Sequence, residues 1–222
     1  MHKLIKSYFD NLKYDSRTSM CNLFQKNKSD KSTWHNYTTF YDCIFSKYIG
    51  KNINFFELGL GTNNLDVPSN MGSNGKPGAS LYAFREYFKN ANIYGADIDK
   101  RILFQDDGIE TYYVDQTNSD EIEILWSNFK NLKFDIMIDD GLHEYSANIT
   151  FFENSIRMLN DGGIYIIEDV TNDDFNKFTE YYLTKNFKYS NVLKIPYTQK
   201  WGNTYFNGTI NNWDNNLVIV VK

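Results

Sequence analysis

Hydrophobic positions along this chain change their period near residue 50. Before that point, two runs of apolar residues recur at the spacing of amphipathic helices. The runs are Leu4, Ile5, Tyr8, Phe9 and Leu12, and then Tyr37, Phe40, Tyr41, Ile44, Phe45 and Tyr48. The polar stretch 25–33 between them is typical of a linker, with Ser32 or Thr33 placed to cap the second helix. The first 50 residues are therefore expected to form a helical cap.

From residue 52 onward, short apolar runs alternate with helical segments. The apolar runs predict seven strands, at 53–58, 93–96, 111–114, 134–138, 164–167, 192–195 and 217–221. The segments between them predict helices at 80–88, 120–128, 145–158 and 173–185. Apolar strands separated by amphipathic helices are typical of a mostly parallel sheet covered on both faces. Only the Asn-, Gly- and Trp-rich stretch 197–216 separates the last two strands, so we expect them to pair antiparallel.

The predicted fold class is thus α/β, with a doubly wound, mostly parallel, seven-stranded sheet whose last strand is antiparallel. A length of 222 residues fits one large domain, and no internal repeat divides it. The expected organisation is an N-terminal helical cap at 1–50 on a core at 51–222.

Composition narrows the classes of partner. The chain carries 23 Lys and Arg against 28 Asp and Glu, and this net charge of −5 argues against a nucleic-acid partner. No apolar run approaches the roughly 20 residues that span a bilayer, so no membrane partner is expected. Cys21 and Cys43 are too few for a disulfide scaffold, which favours a cytoplasmic protein. A homo-oligomer is compatible with the sequence.

Glycines follow the first predicted strand, in the run Glu57-Leu58-Gly59-Leu60-Gly61. In a doubly wound sheet, ligands bind beyond the carboxyl ends of the strands, where glycine lets the backbone approach them closely. As a dinucleotide-binding motif the run is incomplete, because Asn64 stands in place of a third glycine. The acid that follows the second strand, Asp97, also comes 38 positions after Gly59, whereas such a motif expects about 20.

The extra length lies in the 17-residue stretch 63–79, which has turn composition and no periodicity. Unstructured loops longer than about 12–15 residues are usually functional or disordered. We expect this loop to be a mobile lid over the binding site.

The second and third strands also end in polar groups. Asp97 could accept two hydrogen bonds from a ribose diol, or could be a solvated strand end. Asp115 and Gln116 could contact an adenine edge, but capping of a loop or helix explains them equally well.

The richest cluster follows the fourth and fifth strands. Asp139, Asp140 and His143 come after the fourth strand, and Glu168 and Asp169 come directly after the fifth. Adjacent carboxylates with a histidine are costly for stability and are typical of metal or acid–base sites. Asp140 and the two later acids could converge on one hard cation, which prefers oxygen ligands. The alternative is a set of exposed strand ends with helix-capping acids.

Four segments in chain order resemble class I S-adenosylmethionine-dependent methyltransferases. They are ELGLG at 57–61, YGADID at 94–99, FDIMIDDGLH at 134–143 and DGGIYIIEDV at 161–170. More narrowly, the IDDG-x-H and IIED motifs, GASLYAFREYF at 78–88 and VDQT at 114–117 are similar to the macrolide-sugar O-methyltransferases. The segment 29–37, with Tyr41, resembles a stretch that precedes the core in those proteins.

The resemblance implies a Rossmann-like methyltransferase fold and a role for each matching residue. Residues that would bind S-adenosylmethionine are Glu57, Gly59 and Gly61 at the methionine part, Asp97 at the ribose, Asp115 and Gln116 near the adenine, and Asp139. Residues that would bind Mg²⁺ are Asp140, Glu168 and Asp169, and His143, beside Asp140, would be the catalytic base.

The expected function is methyl transfer from S-adenosylmethionine to a hydroxyl of a sugar or small metabolite, in surface-polysaccharide or natural-product biosynthesis. An N-methyltransferase, or a methyltransferase acting on a phosphorylated or nucleotide-linked small molecule, is the nearest alternative. An NAD-dependent oxidoreductase and a non-catalytic nucleotide-binding module are more distant. The incomplete glycine motif disfavours the oxidoreductase, and the retained acids and histidine disfavour the binding module.

Overall fold

The computed structural model describes residues 1–197 and 213–222, and the backbone of residues 205–206 and 209–210. Its helices are α1 (His2–Asp10), α2 (Ser19–Asn27), α3 (Tyr37–Phe45), α4 (Ala79–Phe88), α5 (Ser119–Ser127), α6 (Tyr145–Ser155) and α7 (Phe175–Leu183). Its strands are β1 (Asn54–Leu58), β2 (Asn92–Asp97), β3 (Gln105–Asp106), β4 (Ile109–Tyr113), β5 (Phe134–Asp139), β6 (Leu159–Ile167), β7 (Tyr189–Lys194), β8 (Tyr205–Phe206), β9 (Thr209–Ile210) and β10 (Asn216–Val221).

The main sheet has the order β3-β4-β2-β1-β5-β6-β10-β7. The five strands β4, β2, β1, β5 and β6 pair in parallel with their neighbours in the sheet. Strand β10 lies between β6 and β7 and is antiparallel to both. The mostly parallel sheet and the antiparallel pairing of the last two predicted strands are thus confirmed. Within the predicted gap 197–216, β8 and β9 form a separate two-stranded ribbon, and residues 198–204, 207–208 and 211–212 lie outside the described residues.

The sheet has eight strands, one more than the seven predicted. The additional strand is β3, whose two residues pair antiparallel with the start of β4. Gly108 makes the turn between them with a φ of +72°, a conformation that favours glycine. A polar strand of two residues carries no alternating pattern, so the sequence offers no signal for it.

Alternate residues of the strands face two hydrophobic clusters. Phe55 of β1 packs with α1 to α4 on one face of the sheet, and Phe56 packs with α5 to α7 on the other. The four helices predicted after residue 50 are confirmed, and each begins within two residues of its predicted start. No helix in the described part of the chain has the length and apolar character that crossing a bilayer requires.

The interpretation of residues 25–33 as a linker is wrong. Helix α2 extends to Asn27, and both Lys31 and Ser32 are buried in the short turn Asp30–Ser32. Helix α3 begins at Tyr37 after Asn36, so neither proposed cap lies at its start. Lys31 is polar yet buried because it contacts acids inside the protein, as the site described next shows.

Candidate functional site

A cavity of about 310 Å³ opens at the carboxyl ends of the parallel strands. Each of the five parallel strands, which are β4, β2, β1, β5 and β6 in sheet order, contributes lining residues at its end or just beyond it. Among the predicted site residues, the lining includes Gly59, Gly61, Asp97, Asp115, Gln116, Asp140, His143 and Asp169. Glu57, Asp139 and Glu168 are buried and do not line it. The structure therefore brings eight of the eleven predicted residues to one cavity.

The glycines after β1 are required by two close approaches. Gly59 has a φ of +85°, and a Cβ there would lie 1.8 Å from the carbonyl oxygen of Asp140. Gly61 has a φ of +73°, and a Cβ there would lie 2.4 Å from the side chain of Met71. Both a left-handed backbone and lack of space exclude larger residues. The glycine loop consequently runs close to the backbone after β5 and beneath the loop 63–79.

The loop 63–79 lies over the cavity, which Val67, Ser69 and Met71 help to line. Most of it has no helix or strand. The Ser69 hydroxyl donates to the Leu142 carbonyl oxygen at 2.9 Å, which joins the loop to the segment after β5. This position suits a lid, and the mobility of the loop stays a prediction.

Of the two acids at the end of β2, Asp97 lines the cavity and Asp99 does not. The carboxylate of Asp97 accepts the backbone N–H of Leu60 at 2.7 Å and that of Asp99 at 2.8 Å. Burial raises the pKa of Asp97 above its usual value. Asp99 instead accepts hydrogen bonds from Thr62 and Arg101. Asp97 is therefore the acid placed to contact a ligand.

Asp115 and Gln116 lie side by side beyond β4. Asp115 accepts both the backbone N–H and the hydroxyl of Thr117, at 2.8 and 2.6 Å, so part of its role is to cap the loop. The Gln116 amide oxygen accepts the backbone N–H of Leu142 at 2.6 Å. Both residues still line the cavity.

Asp139 lies beneath this part of the cavity. Its carboxylate accepts the Gln116 amide at 3.3 Å and the Asn148 amide at 3.1 Å. Burial raises the pKa of Asp139 to about 6. It therefore orients Gln116 from below rather than facing the cavity.

Asp140, His143 and Asp169 come together at the acidic end of the cavity, beyond β5 and β6, which lie on the opposite side of β1 from β2 and β4. The Nε2 atom of His143 lies 3.1 Å from Asp140 Oδ1 and 3.8 Å from Asp169 Oδ2. One ligand atom from each of the three residues lies within 4.8 Å of the others. Burial alone would lower the pKa of His143, but Asp169 and Asp140 raise it to about 10.

Lys31 is a candidate functional residue that the sequence analysis did not identify. Its buried ammonium contacts Asp140, lies 2.6 Å from Glu168 Oε2 and lies 3.3 Å from Glu57 Oε1. Burial would lower the pKa of Lys31, but these acids hold it well above its usual value. Burial likewise opposes ionisation of Asp140, yet Lys31 and His143 lower its pKa to about 2. The resemblance over residues 29–37 was the one sequence signal that included Lys31.

Glu168 points away from the cavity. Its Oε1 accepts the Tyr41 hydroxyl at 2.5 Å, while Oε2 faces Lys31. Burial raises the pKa of Glu168 well above its usual value. In the predicted cation site, therefore, Asp140 and Asp169 lie beside His143, and Glu168 lies on the far side of Asp140, paired with Lys31.

The N-terminal segment also binds Asp169. The Tyr37 hydroxyl donates to Asp169 Oδ1 at 2.9 Å, and His35 Nε2 lies 3.4 Å from the same oxygen. Together with Lys31 and Tyr41, this makes four polar groups that residues 31–41 place on the acids after β5 and β6. The spacing of these residues is ordinary for helix and loop, so their common target is visible only in the fold.

Glu57 lies below the centre of the site. Its Oε2 accepts the Ser80 hydroxyl at 2.6 Å, and its other oxygen faces Lys31. Burial raises the pKa of Glu57 to about 7. It thus joins α4, on the glycine-loop side, to the N-terminal segment on the acidic side.

Comparison with known proteins gives related sequences but no match to a family model. A rhamnosyl tetracenomycin-C 2'-O-methyltransferase from Streptomyces olivaceus is 28% identical over 151 residues, which are 68% of this chain and 37% of that protein. The mycinamicin VI 2''-O-methyltransferase of Micromonospora griseorubida is 29% identical over 136 residues, 61% of this chain and 32% of that protein. The chain spans about a third of the length of these relatives.

Solved structures of the MycE methyltransferase from the mycinamycin biosynthetic pathway have a similar fold. One, in complex with Mg, SAH and mycinamycin VI, has a TM-score of 0.58 and 25% identity, covering 70% of this chain and 38% of that one. Another, with Mg and SAH, has a TM-score of 0.64 and 19% identity, covering 93% and 55%. The resemblance drawn from the motifs is confirmed: this chain is similar in sequence and fold to the macrolide-sugar O-methyltransferases.

Proposed function

We propose that this protein transfers a methyl group from S-adenosylmethionine to a hydroxyl of a sugar or sugar-like metabolite. The observation that carries the proposal is the composition of one cavity. The glycine loop and Asp97 line it at the ends of β1 and β2, and Asp140, His143 and Asp169 line it at the ends of the next strands in the sheet, β5 and β6. That arrangement supports a site for a nucleoside donor next to a candidate base. The similar MycE structures, which are complexes with SAH and Mg, support the same assignment.

The donor end suits S-adenosylmethionine. The backbone at Gly59 and Gly61 would approach the methionine part, because no side chain intervenes. Asp97 would accept the ribose hydroxyls, and Asp115 with Gln116 would lie near the adenine. These groups orient the donor, which matters because methyl transfer requires acceptor oxygen, methyl carbon and sulfur in line.

At the acidic end, His143 would take the proton of the acceptor hydroxyl while the oxygen forms its bond to the methyl carbon and the carbon–sulfur bond breaks. An alcohol is a weak nucleophile while protonated, so a positioned base contributes strongly. His143 can accept a proton only when the negative charges of Asp140 and Asp169 are offset, since those charges hold a proton on the ring. This requirement favours a cation at the two carboxylates.

The residues present fit a divalent cation. Asp140 and Asp169 offer carboxylate oxygens, the ligands that Mg²⁺ prefers, and one atom of each lies within 4.8 Å of the other and of His143. When bound there, the ion would lower the pKa of the acceptor hydroxyl. Glu168 could join the ligand set only by leaving Lys31.

The proposal is tested first by calorimetry with S-adenosylhomocysteine and, separately, with NAD⁺. Binding of the first and not the second is expected. Labelled S-adenosylmethionine is then incubated with a panel of free sugars, sugar nucleotides and glycosides, and products one methylene heavier are sought by mass spectrometry. Binding of NAD⁺ alone would support the oxidoreductase, and donor binding with no methylated acceptor would support a binding module.

Cation dependence is tested in the same assay. Activity should fall in chelator and return with Mg²⁺, and Asp140→Asn should reduce both activity and its response to Mg²⁺. Full activity in chelator would mean that the acids position the acceptor through hydrogen bonds alone. Methylation of amines and not hydroxyls in the panel would support the N-methyltransferase instead.

A further inference from the structure

The ammonium of Lys31 contacts Asp140 and Glu168, two of the three acids that are predicted to bind the divalent cation. We infer that Lys31 competes with the divalent cation for Asp140 and Glu168, so that this lysine sets how tightly the cation binds. The inference rests on the proposed function, because that function supplies the reason for a cation at these acids. It adds a residue from the N-terminal segment to the machinery of the site.

The first support is the set of contacts. An ammonium has three N–H donors, and that of Lys31 faces three carboxyl groups, those of Glu57, Asp140 and Glu168. The side chain is 2% exposed, so water does not share these contacts appreciably. Lys31 is thus held among the acids as their positive partner.

The second support is the charge balance. Buried carboxylates are costly unless a positive charge or hydrogen bonds compensate them. Lys31 supplies that charge to Asp140 and Glu168 in the absence of a metal ion. A divalent cation on the same oxygens would meet a positive charge of like sign within contact distance and would have to displace it or bind beside it.

The third support is the way in which Lys31 is held. Its neighbours Tyr37 and Tyr41 donate to Asp169 and Glu168, the two acids that follow β6. The segment is therefore fixed on the site by neutral donors as well as by the ammonium. Removal of the Lys31 charge would leave the hydrogen bonds of Tyr37 and Tyr41 in place, so the N-terminal segment is expected to stay packed against the site.

A merely structural ion pair predicts the opposite result for the cation. If Lys31 only stabilises the fold, its removal damages the site and cation binding weakens or stays the same. If Lys31 competes, its removal frees two carboxylates and takes away a repelling charge, and cation binding tightens. The sign of the change separates the two roles.

The experiment is a calorimetric titration of Mg²⁺ into the full chain and into Lys31→Met. The variant should bind Mg²⁺ at least 10-fold more tightly. Lys76→Met is the matched control, because Lys76 also lines the cavity but its ammonium lies 5.2 Å from the Tyr82 ring centroid and forms no ion pair with Asp140, Glu168 or Asp169. Its Mg²⁺ affinity should stay within about twofold of wild type. An unchanged or weaker affinity in Lys31→Met would overturn the inference.

Thermal unfolding provides a second readout. Without Mg²⁺, Lys31→Met should unfold at a lower temperature than wild type, because its acids lack a partner. Saturating Mg²⁺ should raise the melting temperature of the variant more than that of wild type. An equal increase in both would count against competition.

If Lys31→Met does not fold, the comparison moves to Glu168→Gln and the double variant Lys31→Met/Glu168→Gln, which contain one buried acid fewer. The double variant should bind Mg²⁺ more tightly than Glu168→Gln, and equal affinities would overturn the inference. Titration of S-adenosylhomocysteine into the same samples separates the two proposals. Intact donor binding with no effect of Lys31 on Mg²⁺ removes only the role of Lys31, whereas absent donor binding removes the proposed function.

Discussion

The two ends of the cavity are built in different ways. At the proposed donor end, each polar group follows its own strand and is held by groups at the strand ends of the sheet. Thr117 holds Asp115, and the backbone of Leu60, after β1, holds Asp97. The backbone of Leu142, after β5, holds Gln116. At the acidic end, Asp140 and Glu168 are held by Lys31, which lies 109 and 137 positions away. The first end is thus a property of the sheet, and the second also depends on docking of the N-terminal segment.

This difference teaches where function and folding are coupled. Strand ends of a parallel sheet meet wherever the sheet forms, so the proposed donor site would arise with the core. Like charges at adjacent strand ends repel, and a partner from elsewhere must compensate them. Changes at the acidic end should therefore affect chemistry and stability together, whereas changes at the donor end should affect mainly affinity.

The largest expected effect is at the acidic end. His143→Ala should lower kcat by about 10²–10⁴-fold, the usual contribution of a general base, with little change in donor affinity. Single-turnover methyl transfer and calorimetry with S-adenosylhomocysteine measure the two quantities separately. Full activity of the variant would indicate a transfer driven by proximity alone or an amine acceptor. The acidic end would then not contribute a base to the reaction.

The dependence of stability on pH tests the role of Glu57, which joins the two ends of the cavity. Because burial raises its pKa from 4.5 to about 7, the folded protein keeps a proton that the unfolded chain releases above pH 4.5. The stability linked to that proton is fully present at low pH and is lost as the pH rises through 7. A shift of this size corresponds to a loss of up to about 3 kcal/mol.

Urea unfolding at pH 5 and pH 7.5 measures this loss. Glu57→Gln cannot titrate, so its stability should fall less than that of wild type over the same interval. Parallel pH profiles for the two proteins would show that Glu57 is ionised throughout and that Lys31 fully offsets its burial.

At the donor end, Asp97→Ala should weaken S-adenosylhomocysteine binding by about 10- to 100-fold, the value of a charge-assisted hydrogen bond. Asp99→Ala is the matched comparison, because Asp99 lies at the same strand end but does not line the cavity. Its effect on affinity should be smaller. A larger loss in Asp99→Ala would transfer the ribose contact to that residue.

The smallest effect is expected in the loop 63–79. S-adenosylhomocysteine should slow amide exchange there, and Ser69→Ala, which removes the contact with Leu142, should speed exchange by about 2- to 10-fold. Mass-spectrometric hydrogen exchange measures both. Equal exchange with and without ligand would make the loop a surface insertion rather than a lid.

Sequence patterns predicted the sheet well because buried parallel strands are continuous apolar runs, and the residues after them must lie at one edge. Sequence patterns predicted side-chain burial less well where the residues that bury a side chain are remote from it in sequence. Lys31 looked like part of a solvated linker, since lysine is rarely buried and its three acids are remote in sequence. Asp139 and Glu57 follow the expected positions, yet packing turns their side chains beneath the cavity. Ser80 of α4 and Asn148 of α6 hold these two carboxyl groups there, and those contacts are visible only in the fold.

The position of β10 between β6 and β7 has a consequence for synthesis. During translation β7 leaves the ribosome before β10, but its place in the sheet exists only after β10 has paired with β6. Twenty-one residues, 195–215, separate the two strands. At about 5–20 residues per second, β7 waits for roughly 1 to 4 s as an unpaired strand while the growing edge at β6 is open. An unpaired strand beside an open sheet edge can pair with another chain, so the nascent chain is open to aggregation in that interval.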